Sequence, residues 1–312
     1  MTISANDLLA VLGAIILAGV GGEAFLKSIL GAAVHLRVPK AVVATILAAF
    51  ATSSPELTVA TVAALSGRPE LGLGNALGSN VINIALIFGL ALLFGAIRFT
   101  RKEFGRDFVL ALAVPLLTLV FALDGRIGRG EGATLLVLFA AWLGLSLHAA
   151  RRHRERMPDR QPADLGPWPT LLLGIFGLFA LIAAGRLFVG GATGVAAAFG
   201  IDTYVIGVLV VAIGTTLPEL VTVILSRLRG HDEVGIGTLI GSNLFNGLAI
   251  VGVAASIHPI SVPPAEIMVT LACGVAALLL LLPNRVGMIP RGRGLLLIAM
   301  YGVFIFATLV TV

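Results

Sequence analysis

Two glutamates stand in stretches of sequence that hold no other charge. Glu56 closes the motif ATSSPEL (51–57) and Glu219 the motif GTTLPEL (214–220), each directly after a proline and neither with a basic residue within a helical turn. An ionisable side chain at membrane depth costs at least about 2.5 to 3.5 kcal/mol and usually marks a substrate path or a partnered charge. Pro55 and Pro218 lack an amide proton and clash with the carbonyl four residues back, which frees the carbonyls of Ala51 and Gly214 from a helical ladder. Hydroxyls cluster at the same level: Thr52, Ser53 and Ser54 in one motif, Thr215 and Thr216 in the other. Positions 49, 52, 53 and 56 recur at i, i+3, i+4 and i+7, so one helix face presents the Ala49 position, two hydroxyls and a carboxylate. Ala212, Thr215, Thr216 and Glu219 repeat that spacing. Ser79 and Asn83, four apart, add a hydroxyl and an amide oxygen, as do Ser242 and Asn246.

Together these residues describe a cage of oxygens with two carboxylates and no nitrogen cation. Ca²⁺ takes six to eight oxygen ligands, and its two charges balance two glutamates. Mg²⁺ fits less well because it retains its waters, whereas Na⁺ can use the same hydroxyls and carbonyls. No resident cofactor is implied; the cations would be cargo. The one cysteine, Cys273, rules out an internal disulfide, and no Cys/His cluster offers a zinc site. A hydrolase would need a base beside a nucleophile or a His-held metal. Yet His35, His148, His153, His231 and His258 all fall at the ends of apolar runs, and HExxH is absent.

The elements that carry these residues are membrane helices. Of 312 residues 58% are hydrophobic and only 12% charged, against about a quarter charged in a soluble globule. About 20 apolar residues cross a bilayer, and ten runs qualify: 6–32, 40–66, 72–96, 107–123, 131–150, 168–198, 203–226, 235–257, 264–282 and 294–311. The reading is an all-α polytopic membrane protein. Met1 to Asp7 has no basic residue and so lacks the start of a signal peptide; it reads as a mature N-terminus. Sixteen Lys and Arg residues fall in alternate loops on one side and three, Arg68, Arg126 and Arg129, on the other. That bias places the first side in the cytoplasm and both termini outside. It also accounts for the net charge of +5 without nucleic acid. The expected partner is the lipid bilayer, in a prokaryotic cell membrane, with no obligatory protein partner evident.

Shifting the chain by 163 residues aligns its halves without a gap: ATSSPEL meets GTTLPEL, and GLGNALGSNVIN (72–83) meets GIGTLIGSNLFN (235–246). Residues 1–150 form a first five-helix repeat and 168–312 a second, joined by a polar linker at 151–167. Five spans is an odd number, so the repeats are inverted. Inverted repeats with interrupted helices point to a secondary transporter with its site near the midplane; a passive channel has no need of paired broken helices. Gly74 and Gly78, with Gly237 and Gly241, are read as GxxxG packing surfaces. Glu23 has Lys27 one turn on and Arg186 as its repeat counterpart, so it is read as a structural ion pair.

These paired segments resemble the two alpha repeats of the sodium/calcium exchangers in the cation/calcium exchanger superfamily. The resemblance implies sodium-driven calcium antiport by alternating access, with the first and sixth spans moving against the remaining core. It further implies cation coordination by Glu56 and Glu219, with Ala49, Thr52, Ser53, Ser79 and Asn83 from one half and Ala212, Thr215, Thr216, Ser242 and Asn246 from the other. Thr216 stands where serine is common, and Asn246 where many members carry aspartate. Two site carboxylates instead of three resemble the potassium-independent branch. Proton/calcium antiport is the rival, because a membrane glutamate can carry a proton; the PEL form of both motifs favours sodium.

Overall fold

The computed structural model describes residues 4–99, 101–155, 165–199, 212–262 and 264–311. Of the expected segments, 203–211 of the seventh span and 156–164 of the linker lie outside these. A helix occupies part of every expected span: α1 (Ala5–Leu36), α2a (Lys40–Thr52), α2b (Ser54–Leu65), α3 (Pro69–Leu93), α4 (Arg101–Phe121) and α5 (Arg129–Glu155). The second half gives α6 (Pro167–Ala198), α7a (Ala212–Thr215), α7b (Leu217–Leu228), α8 (Asp232–Ile257), α9 (Pro264–Leu280) and α10 (Gly292–Thr311). Among the described residues six helices are long and apolar enough to cross a membrane unaided, and α2a with α2b makes a seventh across a 44° bend. α9 and α10 are shorter apolar helices.

Burial divides these helices into a centre and a periphery. The most apolar windows of α3 and α8 are 78% and 83% buried, while those of α1, α4, α5 and α6 are 22–33% buried. A helix that is apolar all round belongs in a core, and the GSN motifs ride on the two helices that meet this description. The peripheral helices expose large apolar side chains such as Ile16, Val137 and Phe179, a surface suited to acyl chains rather than water.

Small residues set the closest approaches. A Cβ on Gly241 would lie 2.2 Å from the Thr45 carbonyl oxygen, and one on Gly237 would lie 2.9 Å from that of Ala41, so α8 packs backbone to backbone on α2a. At the repeat counterparts Gly74 and Gly78 an added Cβ would meet nothing among the described residues within 4 Å, so the expected close packing is seen only in the second half. α1 and α6 run antiparallel along most of their length: Gly21 sits on Ala180, Gly177 on Phe25, and Gly191 on Ala10.

Among the described residues two minute antiparallel ladders supplement the helices. Ile97–Arg98 pairs with Met288–Ile289, and Arg126–Ile127 pairs with Ile260–Ser261. Under the 163-residue shift, position 97 becomes 260 and 126 becomes 289, so each ladder maps onto the other at the opposite end of the bundle. That exchange is the signature of inverted halves. The ladders also sort the loops: Arg98 shares its end with Arg227, whose guanidinium donates to the Phe94 and Ala96 carbonyls, and Arg129 shares the other with Ile257.

Candidate ion-binding site

The interruptions in the second and seventh spans fall where the prolines require them. Ser53 (φ −85°, ψ 6°) and Thr216 (φ −89°, ψ 9°) leave the helical region, and the next helix restarts with Pro55 or Pro218 in its first turn, where a missing amide costs nothing. The Ala51 carbonyl accepts the Ser54 hydroxyl at 2.7 Å, so the carbonyl freed by Pro55 is satisfied locally. Leu217 replaces that serine in the second half, and there the Gly214 carbonyl lies against Gly185, where an added Cβ would come within 2.4 Å of it.

Each glutamate therefore starts a helix beside a break, and both are 1% exposed. Glu219 Oε1 accepts Ser53 Oγ and Ser242 Oγ, each at 3.3 Å, which ties α7b to the break between α2a and α2b and to α8. Thr52 Oγ1 lies 3.5 Å from Ser242 Oγ. Both oxygens of Glu56, Oε2 of Glu219, and the amide oxygens of Asn83 and Asn246 are buried and receive no hydrogen bond. Among the described residues only Asn75 Nδ2 and Thr222 Oγ1 share that condition. Neither glutamate has an ion pair among the described residues. Buried carboxylates without hydrogen-bond donors are normally paired or bound to metal. Five free oxygens, three of them on carboxylates, suit a hard cation as ligand.

The remaining expected residues are placed as follows. Ala49 is buried, and its carbonyl accepts the Ser53 amide at 3.0 Å and the Thr52 hydroxyl at 3.4 Å. Ser79 is buried one turn before Asn83. Thr216 Oγ1 donates to the Ile213 carbonyl at 3.3 Å. Thr215 is half-buried and, with Gly214, Ser54, Pro55, Thr58 and Arg186, lines a cavity of about 580 Å³ between α2b and α6. The backbone of Ala212 begins α7a; its side chain is outside the description. Among the described residues three stretches adopt the wider π-helical turn: Ala44–Ala48, Ile82–Phe88 and Phe245–Ile250. The last two begin at repeat-equivalent positions and carry Asn83 and Asn246. Such turns recur at functional sites, and no sequence feature announced them.

Sequence reasoning passed over Asn80 and Asn243, the last residues of the two GSN motifs, which hold the amides of Asn246 and Asn83 in place. Their duplication at the same 163-residue offset was the available signal. The Glu23–Lys27 pair forms at 3.6 Å, but Arg229 is nearer, with Nη2 at 3.0 Å from Glu23 Oε2.

The profile of the family described as sodium/calcium exchanger protein matches residues 7–148 and again 169–310. The chain belongs to the sodium/calcium exchanger family. Among relatives of this exchanger, the inner membrane protein YrbG of Escherichia coli is 34% identical over 236 residues, covering 73% of this chain and 72% of YrbG. The sodium/calcium exchanger MaX1 of Methanosarcina acetivorans is 28% identical, over 97% of this chain and 98% of its own. The fold matches the sodium-calcium exchanger NCX_Mj with a TM-score of 0.82 at 27% identity, covering 97% of this chain and 98% of that one.

Proposed function

We propose that this member exchanges Ca²⁺ for Na⁺ across its membrane by alternating access, with both ions bound between Glu56 and Glu219. The observation that carries this reading is the set of five buried oxygens without donors, on two carboxylates and two amides. Ca²⁺ neutralises both glutamates at once. Na⁺ replaces it by distributing over the same carboxylates and the hydroxyls of Thr52, Ser53, Ser79, Thr215, Thr216 and Ser242. Carbonyls at Ala49 and Ala212 complete the shell; Ala49 does so if Thr52 relinquishes its 3.4 Å bond and turns to the ions. An unfilled pair of buried carboxylates is costly to carry through a closed bilayer, so reorientation is confined to cation-filled states. This coupling makes an exchanger rather than a leak.

In this reading residues 1–150 and 168–312 are the two inverted repeats, α1 and α6 move against the remaining core, and 151–167 is a cytoplasmic linker. The face rich in basic residues is cytoplasmic, with both termini outside. The cavity beside Thr215 then opens between α2b and α6 on the outer side, and its counterpart on the inner side, between α1 and α7b, is smaller, about 400 Å³, and lined by apolar residues such as Ala18, Leu217 and Val221. Proton/calcium exchange is the second reading, supported by Glu56, both of whose oxygens can accept a proton. Calcium uptake into sodium-loaded vesicles, compared with vesicles bearing only a pH gradient, separates the two.

A further inference from the structure

Four asparagines at the contact of α3 and α8 form a closed, symmetric hydrogen-bond set. Asn80 Nδ2 donates to the Asn243 backbone carbonyl and Asn243 Nδ2 donates to that of Asn80, both at 3.2 Å. Asn246 Nδ2 donates to Asn80 Oδ1 and Asn83 Nδ2 donates to Asn243 Oδ1, both at 3.0 Å. The set has only one consistent arrangement. A backbone carbonyl can only accept, so the amide end of Asn80 must face Asn243, and its oxygen is what remains for Asn246. Asn246 must then present nitrogen to Asn80, which leaves its own oxygen turned away, and the same chain runs from Asn243 to Asn83. The two oxygens so released are the buried, donor-free Oδ1 atoms of Asn83 and Asn246.

We infer that Asn80 and Asn243 are positioning residues that fix which end of each site asparagine faces the ions. Asn80 sets Asn246, and Asn243 sets Asn83. An unanchored amide can present its NH₂ group, which repels a cation, and the backbone-referenced bonds remove that option. The pairing crosses the repeats, so each half of the chain orients a ligand donated by the other and α3 and α8 move as one body. This inference rests on the ion-exchange reading of the site.

The test is a set of double-mutant cycles on the full-length protein, with Ca²⁺ binding and ion-free thermal stability as separate readouts. Asn80→Ala should weaken Ca²⁺ binding about tenfold, as outer-shell substitutions do at metal sites. In an Asn246→Ala background, which has no amide left to orient, it should weaken binding less than twofold; in an Asn83→Ala background the tenfold loss should persist. Asn243→Ala should show the reverse pattern. Non-additive stability losses should follow the same crossed pairs in ion-free protein. If Asn80→Ala does not yield folded protein, Asn80→Ser, too short to reach both partners, takes its place. Equal losses in both backgrounds, or no loss of Ca²⁺ affinity, would overturn the inference. Wild-type protein that binds neither Ca²⁺ nor Na⁺ would instead overturn the ion-exchange reading, while the stability cycles would still report on the pairing.

Discussion

The surroundings of Glu219 and Glu56 differ, although the sequence around them is duplicated. Glu219 receives two hydroxyl donors, Ser53 from the opposite half and Ser242 from its own; Glu56, equally buried, receives none. The asparagines one layer away obey the repeat symmetry bond for bond. The symmetric layer joins α3 to α8, the most buried helices, and the asymmetric layer lies at the broken helices that border the cavity. Symmetry is kept between the two most buried helices and lost at the broken ones.

The largest effects should come from the carboxylates. Glu56→Gln and Glu219→Gln should each reduce Ca²⁺ binding more than a hundredfold, since glutamine keeps the shape and removes the charge that offsets ion desolvation. Their ion-free proteins should then part company. Glu56→Gln removes a buried charge that has no donor and should raise the melting temperature, whereas Glu219→Gln weakens bonds from Ser53 and Ser242 and should not. Equal shifts would break the comparison.

Asn246→Asp probes the symmetric layer. A carboxylate cannot donate to Asn80 Oδ1, 3.0 Å away, unless it is protonated. The substitution also adds a third acid to a site that balances one Ca²⁺ with two. The mutant should therefore transport poorly at pH 9, where the carboxylate is ionised, and approach wild-type transport toward pH 6 as the protonated carboxyl donates to Asn80 Oδ1 and the acid count returns to two, while the wild type changes less and needs no K⁺. Identical pH profiles would mean that residue 246 does not face the ions.

A smaller effect separates the repeat-equivalent serines. Ser242→Ala removes a hydrogen bond to a carboxylate and should destabilise the ion-free protein by about 1.5 kcal/mol or more. Ser79→Ala should cost less, because its counterpart carboxylate, Glu56, receives no hydroxyl. Urea or thermal unfolding in detergent without Na⁺ or Ca²⁺ measures both. The smallest effect belongs to Glu23→Gln. Its partners Lys27 and Arg229 are more than half exposed and Glu23 itself about a third, so the loss should stay below about 1 kcal/mol with ion affinity unchanged.

Much of this arrangement was legible in the chain. Hydrophobic runs marked the helices to within a few residues at most ends, because little but a helix satisfies its backbone in a bilayer. The prolines marked both breaks, and the gapless repeat marked the inverted halves. Other features depended on partners that no local pattern names. The π-helical turns place Asn83 and Asn246, yet INIALIF and FNGLAI read as ordinary apolar helix. Arg229 reaches Glu23 across 206 positions, whereas the i, i+4 rule could only suggest Lys27. The crossed bonds of Asn80 and Asn243 arise from the packing of α3 on α8, and spacing along either helix contains no trace of them.

The central claim is that Glu56 and Glu219, two buried glutamates that keep free carboxylate oxygens, couple calcium to sodium. Its most direct measurement is ⁴⁵Ca²⁺ uptake into proteoliposomes loaded with Na⁺, set against K⁺, choline or an imposed pH gradient in Na⁺-free vesicles. The account predicts uptake that requires internal Na⁺, collapses when the Na⁺ gradient is dissipated, and is absent in Glu56→Gln and Glu219→Gln. Uptake driven as well by the pH gradient alone, or persisting in either glutamine variant, would contradict it.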